Sequence, residues 1–346
     1  MGAVRSTGRF YLLTCPRTGS NLLMKILALE GQPNVTYRED GGYFFSPLHL
    51  LRYDQNRVGA HVEELTPDQK ENQIKCVKGC FNTLLRHVKE AESDGKLVVV
   101  KEHTHYLTDP VAETRFLHGQ ECIANELPWM LRGFDDLVQT TDGRSTNNET
   151  FFSDEFLMTW RPIFLIRHPA LAFASWYRAS VRADGEEQAR SAQGKQACKK
   201  VMTLRWTRKL YDFYVQHLDS VDKDNGSPEK EKDTAAWPLV LDADDIITQP
   251  GVIVKLCDIV GLDSGKLKYS WEKDEQQRRP GIMAFRSTID SSTKIDPTKV
   301  AGHVDIDQEA EKWREEFGEE IGRLVEEYVR AAMPDYTYLK ARRLVA

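Results

Sequence analysis

Four short apolar runs punctuate the chain, at Phe10–Leu13, Leu97–Lys101, Pro162–Ile166 and Pro238–Leu241, and each is followed by a stretch of helical periodicity. Runs this short, without polar alternation, suit strands buried on both faces. The periodic stretches predict helices over Leu22–Leu29, Phe81–Glu92, Ala170–Arg182, Ala197–Leu218, Val252–Val260 and Gln308–Ala332. Alternating strands and helices predict an α/β fold with three layers, α/β/α, around a central parallel sheet. No internal repeat is visible, and residues 1–346 read as a single domain. Two polar segments, around 183–196 and 220–236, predict surface loops. Insertions around 39–60 and 106–155 differ from these, because they carry Tyr43, Phe44, Phe45, Tyr106, Phe116, Trp129, Met130, Phe134 and Phe151 among turn residues. Such loops either wall a pocket for an organic molecule or pack an accessory lobe.

Chemistry concentrates where three of the strands end. The first opens into Cys15-Pro16-Arg17-Thr18-Gly19-Ser20-Asn21 and then a helix, a strand–loop–helix of the P-loop type. Gly19 lets the backbone close on a ligand, Ser20 and Asn21 are placed to cap the helix, and the free N–H groups of its first turn suit an anion. A nucleoside-triphosphate loop would carry Gly-Lys-Ser or Gly-Lys-Thr, absent here, so Arg17 supplies a fixed cation without a magnesium-binding hydroxyl. Arg167 follows Phe164-Leu165-Ile166 and projects from the carboxyl end of its strand, where open α/β sheets bind ligands. Ser175 falls eight residues later in the helix that Pro169 starts, and the pair can hold a second phosphate. Between these, Leu97–Val100 leads into Lys101-Glu102-His103-Thr104-His105. Extended geometry places residues 101, 103 and 105 on one side and delivers Lys101 and His103 into the crevice. His103 beside a cation suits a general base, with His105 as its competitor.

Composition narrows the partners. The chain has 346 residues, 40% hydrophobic, and a formal charge of −6 with a pI near 5.9. That balance argues against nucleic acid, whose binding needs a basic face. No run approaches the ~20 apolar residues of a membrane span, which points to a cytoplasmic protein. Cys15, Cys76, Cys80, Cys122, Cys198 and Cys257 are scattered without zinc spacing, so reduced thiols and no metal site are expected.

Taken together, Pro16-Arg17-Thr18-Gly19-Ser20-Asn21, Lys101-Glu102-His103, and Arg167 with Ser175 and Trp176-Tyr177 resemble the cytosolic-type sulfotransferases. Pro238–Ile246 and the helix ending in Gly261-Leu262 look like that family's late strand and helix, so the likeness runs from about residue 9 to 262. The resemblance implies an enzyme that uses 3′-phosphoadenosine 5′-phosphosulfate (PAPS) and releases adenosine 3′,5′-bisphosphate (PAP), without a metal. It implies Arg17, Thr18, Gly19, Ser20 and Asn21 at the 5′-phosphosulfate, and Arg167 and Ser175 at the 3′-phosphate. His103 becomes the base, with Lys101 and Arg17 stabilising developing charge. The family's late Arg-Lys-Gly segment is not legible; Arg286 is taken as its substitute, with Arg278 and Arg279 as rivals.

The aromatic insertions favour a small hydrophobic or phenolic acceptor, with a hydroxyl or amine as the sulfonated group. A homodimer is one of the assembly states left open. Rival readings are an enzyme whose sulfonation activates a hydroxyl for elimination or cyclisation, a P-loop kinase or NTPase, and a non-catalytic nucleotide-binding protein.

Overall fold

Fully apolar strands need cover on both faces, and the chain supplies it with helices from the segments between them. The computed structural model describes residues 8–38, 42–119, 126–224 and 237–346, with the backbone alone at 219–224. The first third holds β1 (Arg9–Thr14), α1 (Ser20–Leu27), β2 (Val35–Thr36), α2 (Ser46–Asp54), α3 (Pro67–Ser93), β3 (Leu97–His103) and α4 (Pro110–His118). Then come β4 (Trp129–Gly133), β5 (Asp136–Gln139), α5 (Asp154–Met158), β6 (Arg161–Ile166), α6 (Pro169–Asp184), α7 (Glu186–Arg190), α8 (Ala192–Val201) and α9 (Arg205–Asp224). The remainder is β7 (Leu239–Asp242), α10 (Ala243–Thr248), α11 (Pro250–Val260), α12 (Pro280–Asp290), α13 (Ile306–Phe317) and α14 (Glu319–Lys340).

Five strands form a parallel sheet in the order β2-β3-β1-β6-β7, which places β1 at its centre. Side chains alternate between its two faces. Tyr11, Leu13, Val98, Val100, Phe164 and Ile166 join the core beneath α3, α6, α9 and α14, whereas Phe10, Leu12, Val99, Ile163 and Leu165 pack with α1 and α11 on the other side. Both faces being apolar explains why these strands read as unbroken hydrophobic runs. Thr14 lies opposite His103 on one side and Leu165 on the other. β3, β1 and β6 therefore end level, and the chain leaves all three at a common edge.

The four sequence-derived strands are all present. β2 is two residues long and carries no periodic signal, and the antiparallel pair β4-β5 lies within the second aromatic insertion, against α3. Several helix boundaries differ from the pattern. α1 ends at Leu27, and α3 begins at Pro67 rather than Phe81 because Thr66 and Gln69 form a reciprocal capping box ahead of its polar first turns. The stretch 197–218 is two helices, parted where the Thr203 hydroxyl accepts from the Arg205 N–H at 3.1 Å. Gln308–Ala332 is likewise divided, at Gly318, whose φ of +80° few other residues adopt.

The loop expected around 183–196 is instead the end of α6 together with α7 and the start of α8, whose Glu- and Gln-rich composition hides the buried Ala189. Of the second expected loop, residues 220–224 close α9, and 225–236 lie outside the described residues. The aromatic insertions divide between the two readings. Phe44, Phe45, Trp129, Met130 and Phe151 are buried core, Phe116 packs on Trp206, and Phe134 is exposed, leaving Tyr43 and Tyr106 for the cavity described below. No helix among the described residues is long and apolar enough to cross a membrane.

Phe164, fully buried on β6 between the site-bearing strand ends and the α9 aromatics Tyr211 and Tyr214, reports on this core. Phe164→Ala is expected to cost roughly 3–5 kcal/mol in urea denaturation. A loss under about 1 kcal/mol would contradict the packing described.

Candidate active site

A cavity of about 880 Å³ opens along the common edge of β3, β1 and β6. Its size is ordinary for a small-molecule site. One wall is the loop after β1. Arg17 and Gly19 both take positive φ, +66° and +85°, which curls the backbone into a concave turn before α1. Among the described residues no backbone acceptor pairs with the N–H groups of Thr18, Gly19, Ser20 or Asn21. Such a run of N–H groups at a helix start is an anion receptor. The capping expected of Ser20 and Asn21 does not occur: Gly19 is the cap residue, without a side-chain bond to the helix. Ser20 Oγ instead meets the Tyr43 hydroxyl at 3.3 Å, and Asn21 Oδ1 accepts from Lys101 Nζ at 2.7 Å. Thr18 turns its hydroxyl inward to the Cys15 carbonyl and offers the cavity its backbone.

The second anion-receptive stretch adjoins the first. Arg167 Nη1 donates to the Arg17 carbonyl at 3.0 Å, and Arg17 Nε donates to Ser175 Oγ at 2.9 Å. A second guanidinium nitrogen of Arg17 donates to the Phe285 carbonyl of α12. Arg17, Arg167 and Ser175 thus form one connected edge of the cavity, and among the described residues the buried Nε of Arg167 has no protein partner. Burial, and then repulsion from Arg167 and Arg182, pulls the Arg17 pKa down to about 10, so it stays charged at neutral pH. Trp176 and Tyr177 both border the cavity, and Tyr177 is largely buried against Phe317, with ring centroids 4.9 Å apart.

Arg286 borders the cavity, but its guanidinium is paired with Asp290 at 3.0 Å and with Asp274 at 3.5 Å. Arg278 is held by the same two carboxylates, and Arg279 by Asp54. The residue beside Arg167 is Lys299, missed from the sequence. Its carbonyl accepts from Arg167 Nη2 at 2.8 Å, and Asp244 fixes the segment by accepting from the Ala301 N–H at 3.0 Å. The one available signal was Lys299 three residues ahead of Gly302, too spread out to match an Arg-Lys-Gly pattern.

Along β3, Lys101 and His103 do share a face, but Lys101 stops behind the cavity wall. It is 1% exposed, bonded to Asn21, with Nζ 4.4 Å above the Tyr43 ring. The strand ends at His103 and tightens into a 3₁₀ turn, so His105 does not continue the extended alternation. Its ring stacks on that of His103 instead, with centroids 5.5 Å apart, and both border the cavity beside His49, Tyr43 and Tyr106. Burial and then the Lys101 charge hold the His103 pKa well below its usual value. Burial and the neighbouring His103 do the same to His105. His49 is pushed down to about 3 by burial, then by Lys200 and Arg52. Behind it Arg52 and Lys200 both bind Glu113, at 3.0 and 2.7 Å, two buried cations on one carboxylate. This wall of the cavity therefore offers neutral imidazoles in a positive field.

Among the described residues no group of three or more His, Cys, Asp or Glu side chains is arranged to hold a metal ion. The described cysteines are unpaired, and Cys122 lies outside the described residues.

No family model matches the chain. It is 40% identical over 346 residues to the sulfotransferase ppzF of Metarhizium rileyi (strain RCEF 4871), an alignment covering 98% of this chain and 97% of that protein. To the protein of the same name from Metarhizium majus (strain ARSEF 297) it is 41% identical over 347 residues, with the same coverage. Among solved structures, the sulfotransferase domain of the Synechococcus PCC 7002 olefin synthase aligns with 89% of this chain and 95% of its own, at a TM-score of 0.36 and 13% identity.

The depressed histidines give stability a pH dependence. Below about pH 6.5 the unfolded chain takes up a proton at His49 that the folded protein refuses down to about pH 3, so stability falls with pH across that window. In His49→Gln that decline, followed by urea denaturation from pH 6.5 to 5, should be shallower by about 1.4 kcal/mol per pH unit. Parallel curves for variant and parent would contradict the assignment.

Proposed function

The chain belongs to the sulfotransferases, and from that premise we propose that it transfers a sulfuryl group from PAPS to a hydroxyl of a small hydrophobic or phenolic acceptor, with His103 as general base. The observation that supports this reading best is the continuity of the two anion-receptive stretches, joined through Arg17, on a cavity that His103 also lines. A donor with phosphate groups at both ends of its nucleoside needs two such stretches at one site.

The donor supplies a sulfuryl group on an anhydride to phosphate, and PAP leaves when the acceptor oxygen forms its bond to sulfur. The N–H groups of Thr18 to Asn21 and the Arg17 guanidinium would hold the 5′-phosphosulfate. Arg167 and Ser175 would hold the 3′-phosphate, with Arg286 and Lys299, which both border the cavity and are both paired with carboxylates, as the candidates to complete that side. His103 would receive the acceptor proton. Its depressed pKa keeps it neutral, and a polyanion in the loop offsets the Lys101 and Arg17 charges, strengthening the base once the donor is bound. Lys101 would act from behind Asn21, fixing that residue and adding positive potential where charge grows on the leaving group.

Tyr43, Tyr106 and the inward faces of α2 and α8 form an aromatic and apolar acceptor chamber. Its positive field disfavours a protonated amine and favours a hydroxyl whose ionised form is stabilised, a phenol above all. The whole chain, residues 1–346, would work as one domain in the cytoplasm.

His103→Ala should lower kcat by roughly 10²- to 10⁴-fold while the dissociation constant for PAP stays within a few-fold of the parent. Near-normal turnover would sink the base assignment. Arg167→Ala should weaken PAP binding by roughly 1.5–3 kcal/mol, as for one charge-assisted contact. An unchanged PAP affinity by titration calorimetry would count against the 3′-phosphate site.

A further inference from the structure

Thr14 is the last residue of β1, one position before the anion loop, and nothing above gives it a task. Register places it opposite His103 on the neighbouring strand, and both side chains project to the same face. Its Oγ1 is 2.7 Å from His103 Nδ1 and 3.1 Å from the Glu102 carbonyl oxygen. A hydroxyl has a single proton, and a carbonyl oxygen can only accept. Both contacts form together only when the Thr14 proton goes to Glu102 and its oxygen accepts from the ring. That arrangement puts the hydrogen of the neutral imidazole on Nδ1 and leaves the lone pair on Nε2, on a ring that lines the cavity.

We propose that Thr14 is a positioning residue for the transfer reaction: its hydroxyl holds His103 in the Nδ1–H tautomer and so leaves Nε2 free to take the acceptor proton. The catalytic part of this proposal rests on His103 being the base. The arrangement differs in kind from a carboxylate behind the histidine. A carboxylate would orient the ring and also stabilise its cation, whereas a hydroxyl orients the ring without adding charge. Here the ring stays neutral until an anion enters the adjoining loop. Threonine suits the task because a β-branched side chain is stiff about χ1, and Thr14 is 0% exposed, so water cannot replace its hydroxyl.

The tautomer can be read without knowing the acceptor. In protein labelled with ¹⁵N-histidine, long-range ¹H–¹⁵N correlation distinguishes protonated from bare ring nitrogens, and the His103 signals are those lost in His103→Ala. The expected result at pH 7.5 is a protonated Nδ1 and a bare Nε2 in the parent protein and in Thr14→Ser. Thr14→Val should move the proton to Nε2, since a buried Nδ1–H would then lose its hydroxyl acceptor whereas Nε2–H can reach the cavity. In turnover, Thr14→Val should lower kcat by roughly 10- to 100-fold with KM little changed, the usual cost of losing a group that orients a functional imidazole. Thr14→Ser should restore most of it.

A proton on Nε2 in the parent protein overturns the proposal, and that spectrum decides the matter even if Thr14→Val does not fold. The same tautomer in Thr14→Val as in the parent also overturns it. Full turnover by His103→Ala is a different failure: it removes the base, and with it any catalytic role for Thr14, while leaving the tautomer result intact.

Discussion

The site depends on a reciprocal tie between two strand ends: Arg167 donates to the carbonyl of Arg17, and Arg17 donates to Ser175 on the helix that follows Arg167. The tie is possible because β1 lies between β3 and β6, with their ends in register. It also demands an unusual backbone. Arg17 sits at φ +66°, a region that costs a non-glycine residue of order 1–2 kcal/mol, and this conformation accompanies the turn of its carbonyl toward Arg167. Two guanidinium groups are thereby held close enough to repel each other, and a molecule carrying two separated anionic groups would relieve that repulsion.

A similar tension runs through the histidine-lined side of the cavity. His49, His103 and His105 are packed against one another and against the buried Arg52–Glu113–Lys200 cluster, and burial with local positive charge keeps all three neutral. Neutral imidazoles have lone pairs to offer, whereas a protonated cluster would repel the cationic loop beside it. Rigidity comes from the core beneath: Glu102, between Lys101 and His103 on β3, turns to the opposite face and accepts from the Phe45 N–H at 2.9 Å, tying the aromatic core to the strand. Chemistry and packing thus alternate residue by residue along one strand.

What was legible in the sequence follows from that same alternation. Strands buried on both faces leave unbroken apolar runs, so β1, β3, β6 and β7 were visible, and so were the residues immediately after them. Distant partners were not. Nothing local reveals that Asp274 and Asp290 occupy Arg286, that Lys299 lies beside Arg167, or that Asn21 stands between Lys101 and the cavity. Polar composition misled around 183–196, where α7 and α8 present Gln188, Gln193 and Gly194 to the cavity while their exposed faces carry the charges that suggested a loop. Thr14, between the apolar run and the anion loop, belongs to no motif, and its contact with His103 depends on register with β3.

On the proposed reading, a nucleotide is held in this cavity by both its 5′- and its 3′-phosphate. Titration calorimetry with adenosine 3′,5′-bisphosphate, beside ADP and ATP and without magnesium, separates the two contributions. Bisphosphate binding at least about tenfold tighter than either of the others is expected, equivalent to ~1.4 kcal/mol. Equal affinity for all three would mean that Arg167 and Ser175 do not recognise a 3′-phosphate, and would contradict that reading.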